Sequence, residues 1–162
     1  MDYLCIIPLN YLELTIMKKI VFLIIMMIMC TINVHGQSVE PFKGKFVNDE
    51  YQIYLKLNAY EQNITVPDQE IYGELPGYFG SKRDSRQWLV IECEIINNNT
   101  VEMKVVNDYG SEDFTARLTL NSDGTYTLKH LEGSTYKIVV DSKYVKIPKK
   151  IEMKIEGDLK GS

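Results

Sequence analysis

Cysteine and histidine are scarce in this chain of 162 residues, which has three cysteines and two histidines. Cys5, Cys30 and His35 fall in an N-terminal part that we predict, for the reasons below, to be absent from the mature protein. Cys93 and His130 then remain alone. An internal disulfide needs two cysteines, and a structural zinc site needs several cysteines or histidines. We therefore expect no disulfide, no metal site and no cofactor, and a fold that depends on its hydrophobic core.

The chain also lacks an excess of basic residues. Its 18 lysines and arginines stand against 22 aspartates and glutamates, which gives a formal net charge of −4. Domains that bind nucleic acids usually carry a basic face. The composition argues against a nucleic-acid partner and gives no reason to expect an anionic membrane surface.

A hydrophobic run long enough to cross a membrane is missing as well. The unbroken apolar run at residues 20–30 has eleven members, whereas a spanning helix needs about 20. That length fits the apolar region of a signal peptide, and Lys18 and Lys19 supply the positive charge that precedes such a region. The sequence predicts a signal peptide at residues 17–36. We therefore expect export to the periplasm or the cell exterior, with no stable membrane span in the mature chain.

The domain boundaries follow from this prediction. Val34 and Gly36 are small enough for the −3 and −1 positions of a cleavage site, which places cleavage after Gly36. Met17 followed by two lysines resembles a normal start, so residues 1–16 are predicted to be an over-called extension. The remaining sequence is long enough for one domain, predicted at residues 37–156. Residues 157–162 are predicted to be a flexible tail.

Two alternatives remain for the apolar run. A buried core helix is disfavoured because the run has no polar face. A lipid anchor on Cys30 is disfavoured because Met29, rather than a small residue, precedes that cysteine.

Alternation of apolar and polar residues with a period of two dominates the mature sequence. Ile53, Leu55 and Leu57 alternate with Tyr54 and Lys56, as in a strand with one buried face. Turn-forming stretches of Asn, Asp, Ser and Gly recur about every 10 to 14 residues, which favours antiparallel neighbours over β-α-β units. We predict an all-β fold, an antiparallel up-and-down meander of eight to ten strands, with a barrel favoured over a sandwich.

The same alternation predicts the side chains of the barrel interior. They are the apolar members of the strongest strands: Ile53, Leu55, Leu57, Leu89, Ile91, Val101, Met103, Phe114 and Leu118.

A signal peptide, the early glycine-x-aromatic motif Gly44-Lys45-Phe46 and a meander of short strands together resemble lipocalin-like (calycin-like) small secreted β-barrels. The pattern also resembles small exported proteins of Gram-negative bacteria. Lipocalins have tryptophan where this chain has Phe46, and an arginine near the last strand where Lys154 is the nearest basic residue. The resemblance implies a barrel that holds a small ligand.

The stretch from Glu74 to Trp88 is the longest gap between strong strands. Binding residues are concentrated in loops carried by rigid scaffolds. An ordinary crossover loop, whose aromatic residues tuck against the barrel end, is favoured for this stretch. The functional alternative is a ligand-binding lid over one barrel mouth. The candidate binding residues are Tyr78, Phe79, Lys82, Arg83, Arg86 and Trp88.

Residues suited to catalysis are few. His130 has no partner nearby in sequence to orient it, so a structural role is favoured over that of a general base. Cys93 shares a strand face with Ile91 and Ile95, two residues away on either side, and is expected to be a buried thiol. The acidic cluster of Asp108, Glu112 and Asp113 lacks the spacing of a calcium loop. We therefore predict that the protein is not an enzyme, although a hydrolase with paired carboxylates would leave no local motif.

Two functions remain. In the first, the barrel interior holds a small apolar or amphipathic ligand. In the second, the barrel is filled by its own side chains and acts as a protein-interaction or envelope accessory module through its surface loops. An eight-stranded barrel can be of either kind. The interior volume separates them, since ligand cavities usually exceed about 300 Å³.

Overall fold

The computed structural model describes residues 16–24 and 40–156. Residues 16–24 form a helix. The chain divides into two units, Met1–Val39 and Glu40–Ser162. Among the described residues, no helix is both long and apolar enough to cross a membrane. Almost all of the predicted extension, the predicted cleavage site and the predicted tail at 157–162 lie outside the described residues. The signal peptide at 17–36 stays a prediction.

Strands make up most of the second unit, where they are joined by short turns and one 3-10 helix at Glu70–Tyr72. Those of the barrel are β1 Lys43–Asn48, β2 Ile53–Asn58, β5 Gly77–Ser81, β6 Trp88–Asn97, β7 Thr100–Asn107, β8 Asp113–Leu120, β9 Tyr126–Gly133 and β12 Lys150–Ile155. Two shorter pairs lie between them in sequence: β3 Ile64–Thr65 with β4 Glu74–Leu75, and β10 Lys137–Val140 with β11 Lys143–Lys146.

The barrel is closed. Its strands follow the order β1-β2-β5-β6-β7-β8-β9-β12, and β12 pairs with β1 to complete the circle. Every neighbouring pair is antiparallel. Closure leaves no open edge in this sheet. The predicted all-β, antiparallel up-and-down barrel is therefore confirmed, with two inserted strand pairs that the sequence reading did not resolve.

One continuous apolar cluster fills the barrel. Alternation along β2 sends Ile53, Leu55 and Leu57 inward, where all are at most 1% exposed. A circle of eight strands is just wide enough for side chains to fill it. Each buried large apolar side chain contributes about 1.5–3 kcal/mol to folding. Among the predicted interior residues, the cluster contains Ile53, Leu55, Leu57, Val101, Met103, Phe114 and Leu118.

Leu89 and Ile91 lie outside this cluster, so their predicted interior position is wrong. Val90 pairs with Val105, and the register then shifts, leaving Ile91 without a direct partner. A bulge of this kind inserts one extra residue and reverses the face on which the following residues lie. Trp88 and Val90 therefore face inward before the bulge, and Cys93 packs against the interior cluster after it.

The pair β3–β4 covers part of the outer barrel wall. Ile64 and Val66 pack there on Tyr78 and Leu89 in a second apolar cluster, against which Ile91 also packs. Tyr78 is consequently 6% exposed although its side chain points away from the barrel interior. This cover explains why β5 and β6 carry apolar residues on both faces.

The pair β10–β11 closes one end of the barrel. Tyr136, just before β10, is buried, and its ring centroid lies 5.5 Å from that of Phe79, 5.6 Å from that of Trp88 and 5.9 Å from that of Phe114. Such aromatic contacts add about 0.5–1.5 kcal/mol each beyond the area that they bury. The inserted hairpin is therefore part of the core.

Gly77 provides a test of how closely β2 and β5 approach. A Cβ atom at this position would collide with the backbone oxygen of Lys56, which cannot move without breaking the sheet. We expect Gly77→Ala to destabilise the protein by about 3 kcal/mol. At Gly110 a Cβ atom would meet open space, and the backbone φ of 68° is the one source of strain. Gly110→Ala should therefore lower the free energy of unfolding by about 1 kcal/mol. Urea denaturation measures both, and equal losses would contradict the close approach.

Candidate functional site

The predicted lid does not exist as one exposed loop. Tyr78 and Phe79 lie in β5 and are 6% and 0% exposed, with Tyr78 in the outer cluster and Phe79 in the interior. Trp88 begins β6 and faces inward. The expectation that these aromatic residues form an exposed lid is therefore wrong. The reason is that Gly77 and Gly80 allow this stretch to run as a strand close against β2.

The turn at residues 82–87 is what remains of the predicted loop. Lys82 and Arg83 are exposed there, whereas Arg86 is half-buried. Asp84 fastens the turn to β10, because one of its carboxylate oxygens accepts a hydrogen bond of 2.6 Å from the backbone N–H of Val139. Arg86 Nη2 donates to the same oxygen at 2.8 Å. The structure therefore makes Asp84 the anchor of the closing hairpin.

The environment of Asp84 lowers the pKa of its carboxyl group. Burial raises this pKa, but the hydrogen bonds from Arg86 and from the Val139 backbone outweigh it. The same pairing raises the pKa of Arg86, against the opposing effect of burial. The side chain of Asp84 is only 8% exposed. The carboxylate side of this ion pair is therefore shielded from solvent, whereas the Arg86 side chain is 30% exposed.

A pocket of about 310 Å³ lies beside this anchor at the closed end of the barrel. Tyr144 is exposed on its wall, with Arg86 at 5.3 Å and Lys137 at 5.8 Å from its ring centroid. Lys137 also makes an ion pair of 2.8 Å with Glu112. Two of the predicted binding residues, Arg86 and Trp88, line this pocket. Its other lining residues include Asn107, Asp108, Tyr109 and Ser111.

A larger groove of about 560 Å³ lies on the outer wall of the barrel. Tyr54 and Tyr78 form part of its lining, with ring centroids 6.0 Å apart at an interplanar angle of 80°. The ring of Tyr54 lies over Gly80, where even a methyl group would collide with it. Ile64 from β3 also lines the groove. Its other lining residues are Lys43, Gly44, Lys45, Lys56, Leu57 and Asn58.

The three lysines of the outer groove differ in their partners. Lys43 pairs with Glu61 at 2.9 Å and with Glu40 at 3.3 Å. Lys45 pairs with Glu156 at 2.6 Å, and its ammonium lies 5.2 Å from the centroid of the Tyr54 ring. Within residues 16–24 and 40–156, Lys56 has no ion pair. Lys56 is therefore the cation best placed to meet an anion in this groove.

Sequence reasoning missed this groove. Tyr54 and Lys56 were visible as the polar face of β2, but nothing local in the sequence shows that β3 folds back beside them. The two glycines of β5 were the available signal, because glycine in a strand often marks a close approach of neighbouring groups.

His130 occupies a structural position near the closed end. Its Nε2 lies 2.8 Å from the backbone oxygen of Ser134, so Nε2 is the donor, and its ring stacks on Phe114 at 5.4 Å. Nδ1 is buried and finds no hydrogen-bond partner among the described atoms. A small cavity of about 20 Å³ adjoins this ring, roughly the space of one water molecule. The contacts of His130 do not form a nucleophile–base pair.

Cys93 is a free, half-buried thiol in β6. Burial raises its pKa to about 11. A thiol with so high a pKa is almost entirely protonated at neutral pH and is a poor nucleophile. Among the described residues, no group of three or more His, Cys, Asp or Glu side chains is arranged to hold a metal ion. Glu112, from the acidic cluster, is instead paired with Lys137.

Comparison with known protein families, curated proteins and solved structures found no match for this chain. The lipocalin-like resemblance therefore still rests on the sequence pattern around Gly44 and Phe46. In the structure, Phe46 is fully buried, and its ring packs edge-on against Tyr126 with centroids 4.7 Å apart.

The anchor at Asp84 predicts a pH-dependent stability. A carboxyl group whose pKa is lower in the folded state stabilises the protein above its unfolded pKa, near 3.9, and loses this contribution as the pH falls. We expect Asp84→Asn to lower the free energy of unfolding by about 1–3 kcal/mol at pH 7. The difference from the unmodified protein should shrink below about pH 4. Urea denaturation at both pH values measures it.

Asp49→Asn is the matched control, since Asp49 is exposed in a turn. It should change the stability little at either pH. A loss at Asp84 that stays the same at low pH would contradict a role for the carboxylate charge.

Proposed function

We propose that the protein is an exported, non-enzymatic binding protein that takes a small amphipathic anion in the groove on its outer wall. The observation that carries the proposal is the combination, in one groove of about 560 Å³, of two tyrosine rings, an isoleucine and three lysines.

The barrel interior offers little support for a ligand inside it. Phe46, Phe79 and Met103 meet there at 0–1% exposure, within one continuous cluster of buried side chains. The cavity beside His130 has a volume of about 20 Å³, whereas small-molecule sites usually measure about 300–1,000 Å³. The outer groove lies within that range.

The lining of the outer groove suits a molecule with an apolar body and an anionic head. Tyr78 and Ile64 are largely buried beside it and offer apolar surface. Lys56 has no carboxylate partner among the described residues, and its charge would attract the head. The other two lysines are already neutralised by glutamates, which leaves about one cation for one anion.

The binding of laurate tests this proposal. Laurate combines an alkyl chain with a carboxylate, and dodecanol has the same chain without the charge. We expect laurate to bind more tightly than dodecanol, and Lys56→Glu to weaken laurate binding roughly tenfold at low salt, since the variant reverses the charge at the head. The effect should diminish at high ionic strength. Isothermal titration calorimetry measures these affinities.

Lys143→Glu is the matched control. It makes the same change in net charge at an exposed lysine on β11, away from the groove. Laurate affinity should be almost unchanged in this variant. Equal binding of laurate and dodecanol, or equal losses in the two variants, would refute an anion-binding role for Lys56. An absence of laurate binding would refute the proposal.

A second candidate function is protein interaction through the closed end of the barrel. Tyr109 and Tyr144 are 78% and 69% exposed beside the 310 Å³ pocket. Tyrosine and arginine are enriched in the energetic centres of protein interfaces. Native mass spectrometry of protein exported by its own host separates the candidates. A bound mass lost on unfolding supports a small ligand, whereas a bound protein that Tyr109→Ser and Tyr144→Ser release supports the interface.

A further inference from the structure

A row of charged side chains crosses five neighbouring strands on the outer wall. The strand registers align its members one opposite the next. In order around the barrel, they are Glu94 of β6, Glu102 of β7, Arg117 of β8, Lys129 of β9 and Lys150 of β12. The sign of the charge changes once, between β7 and β8, so that three cations stand side by side.

The register places Lys129 directly opposite both Arg117 and Lys150. Directly paired residues on antiparallel strands have Cβ atoms about 4.5–5.5 Å apart. The three cations therefore form a line about 10 Å long across the strands. Like charges in such positions destabilise a sheet. A bound anion would offset this repulsion.

Among the described residues, a carboxylate meets this line at one end only. Arg117 Nη2 lies 2.8 Å from an oxygen of Glu102. Within the described parts of the chain, neither Lys129 nor Lys150 has a carboxylate oxygen within 4 Å. Glu152 lies farther along the same face of β12 and pairs in register with Thr127, without forming an ion pair with either lysine.

We define the cationic row as Arg117, Lys129 and Lys150, the three cations that the strand registers place side by side.

The surroundings of the cationic row indicate the kind of anion. Thr119 and Thr127 lie beside it on the same wall, directly opposite each other. The Thr127 hydroxyl is held by the side chain of Asn121, to which it donates at 3.2 Å and from which it accepts at 3.1 Å. The Thr119 hydroxyl can donate and accept hydrogen bonds. The row itself contains no apolar or aromatic side chain, which a membrane surface or single-stranded nucleic acid would use. A hydroxyl group beside a line of exposed cations suits a hydrated polymer with regularly spaced negative charges.

We propose that the cationic row binds an acidic polysaccharide through its carboxylate or sulfate groups. The line of cations runs across the strands and can meet successive charged sugars of one chain. The Thr119 hydroxyl beside it would bond to an uncharged position of a sugar ring. This site is separate from the outer groove, with which it shares no lining residue.

The double variant Lys129→Gln/Lys150→Gln tests the proposal. Polygalacturonate supplies carboxylates, dextran sulfate supplies sulfates, and dextran is the neutral control. We expect at least one charged polymer to bind and dextran not to bind. The double variant should weaken that binding about tenfold at low salt, since each exposed ion contact contributes a few-fold. Affinity electrophoresis at several salt concentrations measures the loss.

Lys82→Gln/Lys143→Gln is the matched control, because it removes two exposed lysines outside the row. Its polysaccharide affinity should stay within about twofold of the unmodified protein. Equal weakening in both double variants would show that net charge alone governs the binding and would overturn the proposal. So would binding to anionic phospholipid vesicles or to DNA without binding to either charged polysaccharide.

A stability measurement excludes misfolding as the cause of a loss. Because Lys129 faces two cations, removing its charge relieves repulsion, and the Lys129→Gln/Lys150→Gln variant should have a melting temperature at or above that of the unmodified protein at low salt. The charged polysaccharide should raise the melting temperature of the unmodified protein more than that of the variant. A variant that melts earlier would instead assign these lysines a structural role and overturn the proposal.

Discussion

The filling of an eight-stranded barrel by its own side chains is the constraint on which the rest of this structure depends. A circle of this size has room either for side chains or for a small ligand. Here Phe46, Phe79 and Met103 are almost completely buried inside it, and Tyr136 packs onto the same cluster at one end. The two binding sites that we propose, the outer groove and the cationic row, therefore lie on the outer wall rather than in the interior.

The two inserted strand pairs border the groove on the outer wall and the pocket at the closed end of the barrel. The pair β3–β4 buries Tyr78 and Leu89 and forms one side of the outer groove. The pair β10–β11 is joined to the turn at 82–87 through Asp84 and borders the pocket at the closed end. A two-stranded hairpin is marginal by itself. Each pair is therefore ordered by packing on the barrel that it modifies.

The sequence was informative where a structural feature depends on local alternation. The period-two pattern of Ile53, Leu55 and Leu57 predicted a buried face, and closely spaced turns predicted antiparallel neighbours. Prediction from the sequence failed where the structure depends on one irregular residue or on partners that are distant in the chain. The bulge at Ile91 leaves no local signal, and strict alternation therefore assigned Leu89 to the wrong face. The apolar outer face of β5 looked like an exposed lid because its cover, β3, is specified elsewhere in the chain.

The distribution of charge on the barrel surface is a second feature that depends on residues distant in sequence. A net charge of −4 argues against anionic partners only if the charges are evenly spread. Glu94 and Glu102 lie at one end of the charged row, whereas Lys129 and Lys150 lie at the other. These residues are far apart in sequence, and only strand register brings them into line. Local potential, rather than net charge, determines which ions a surface attracts at distances within a Debye length of about 10 Å. An acidic chain can therefore present a cationic surface.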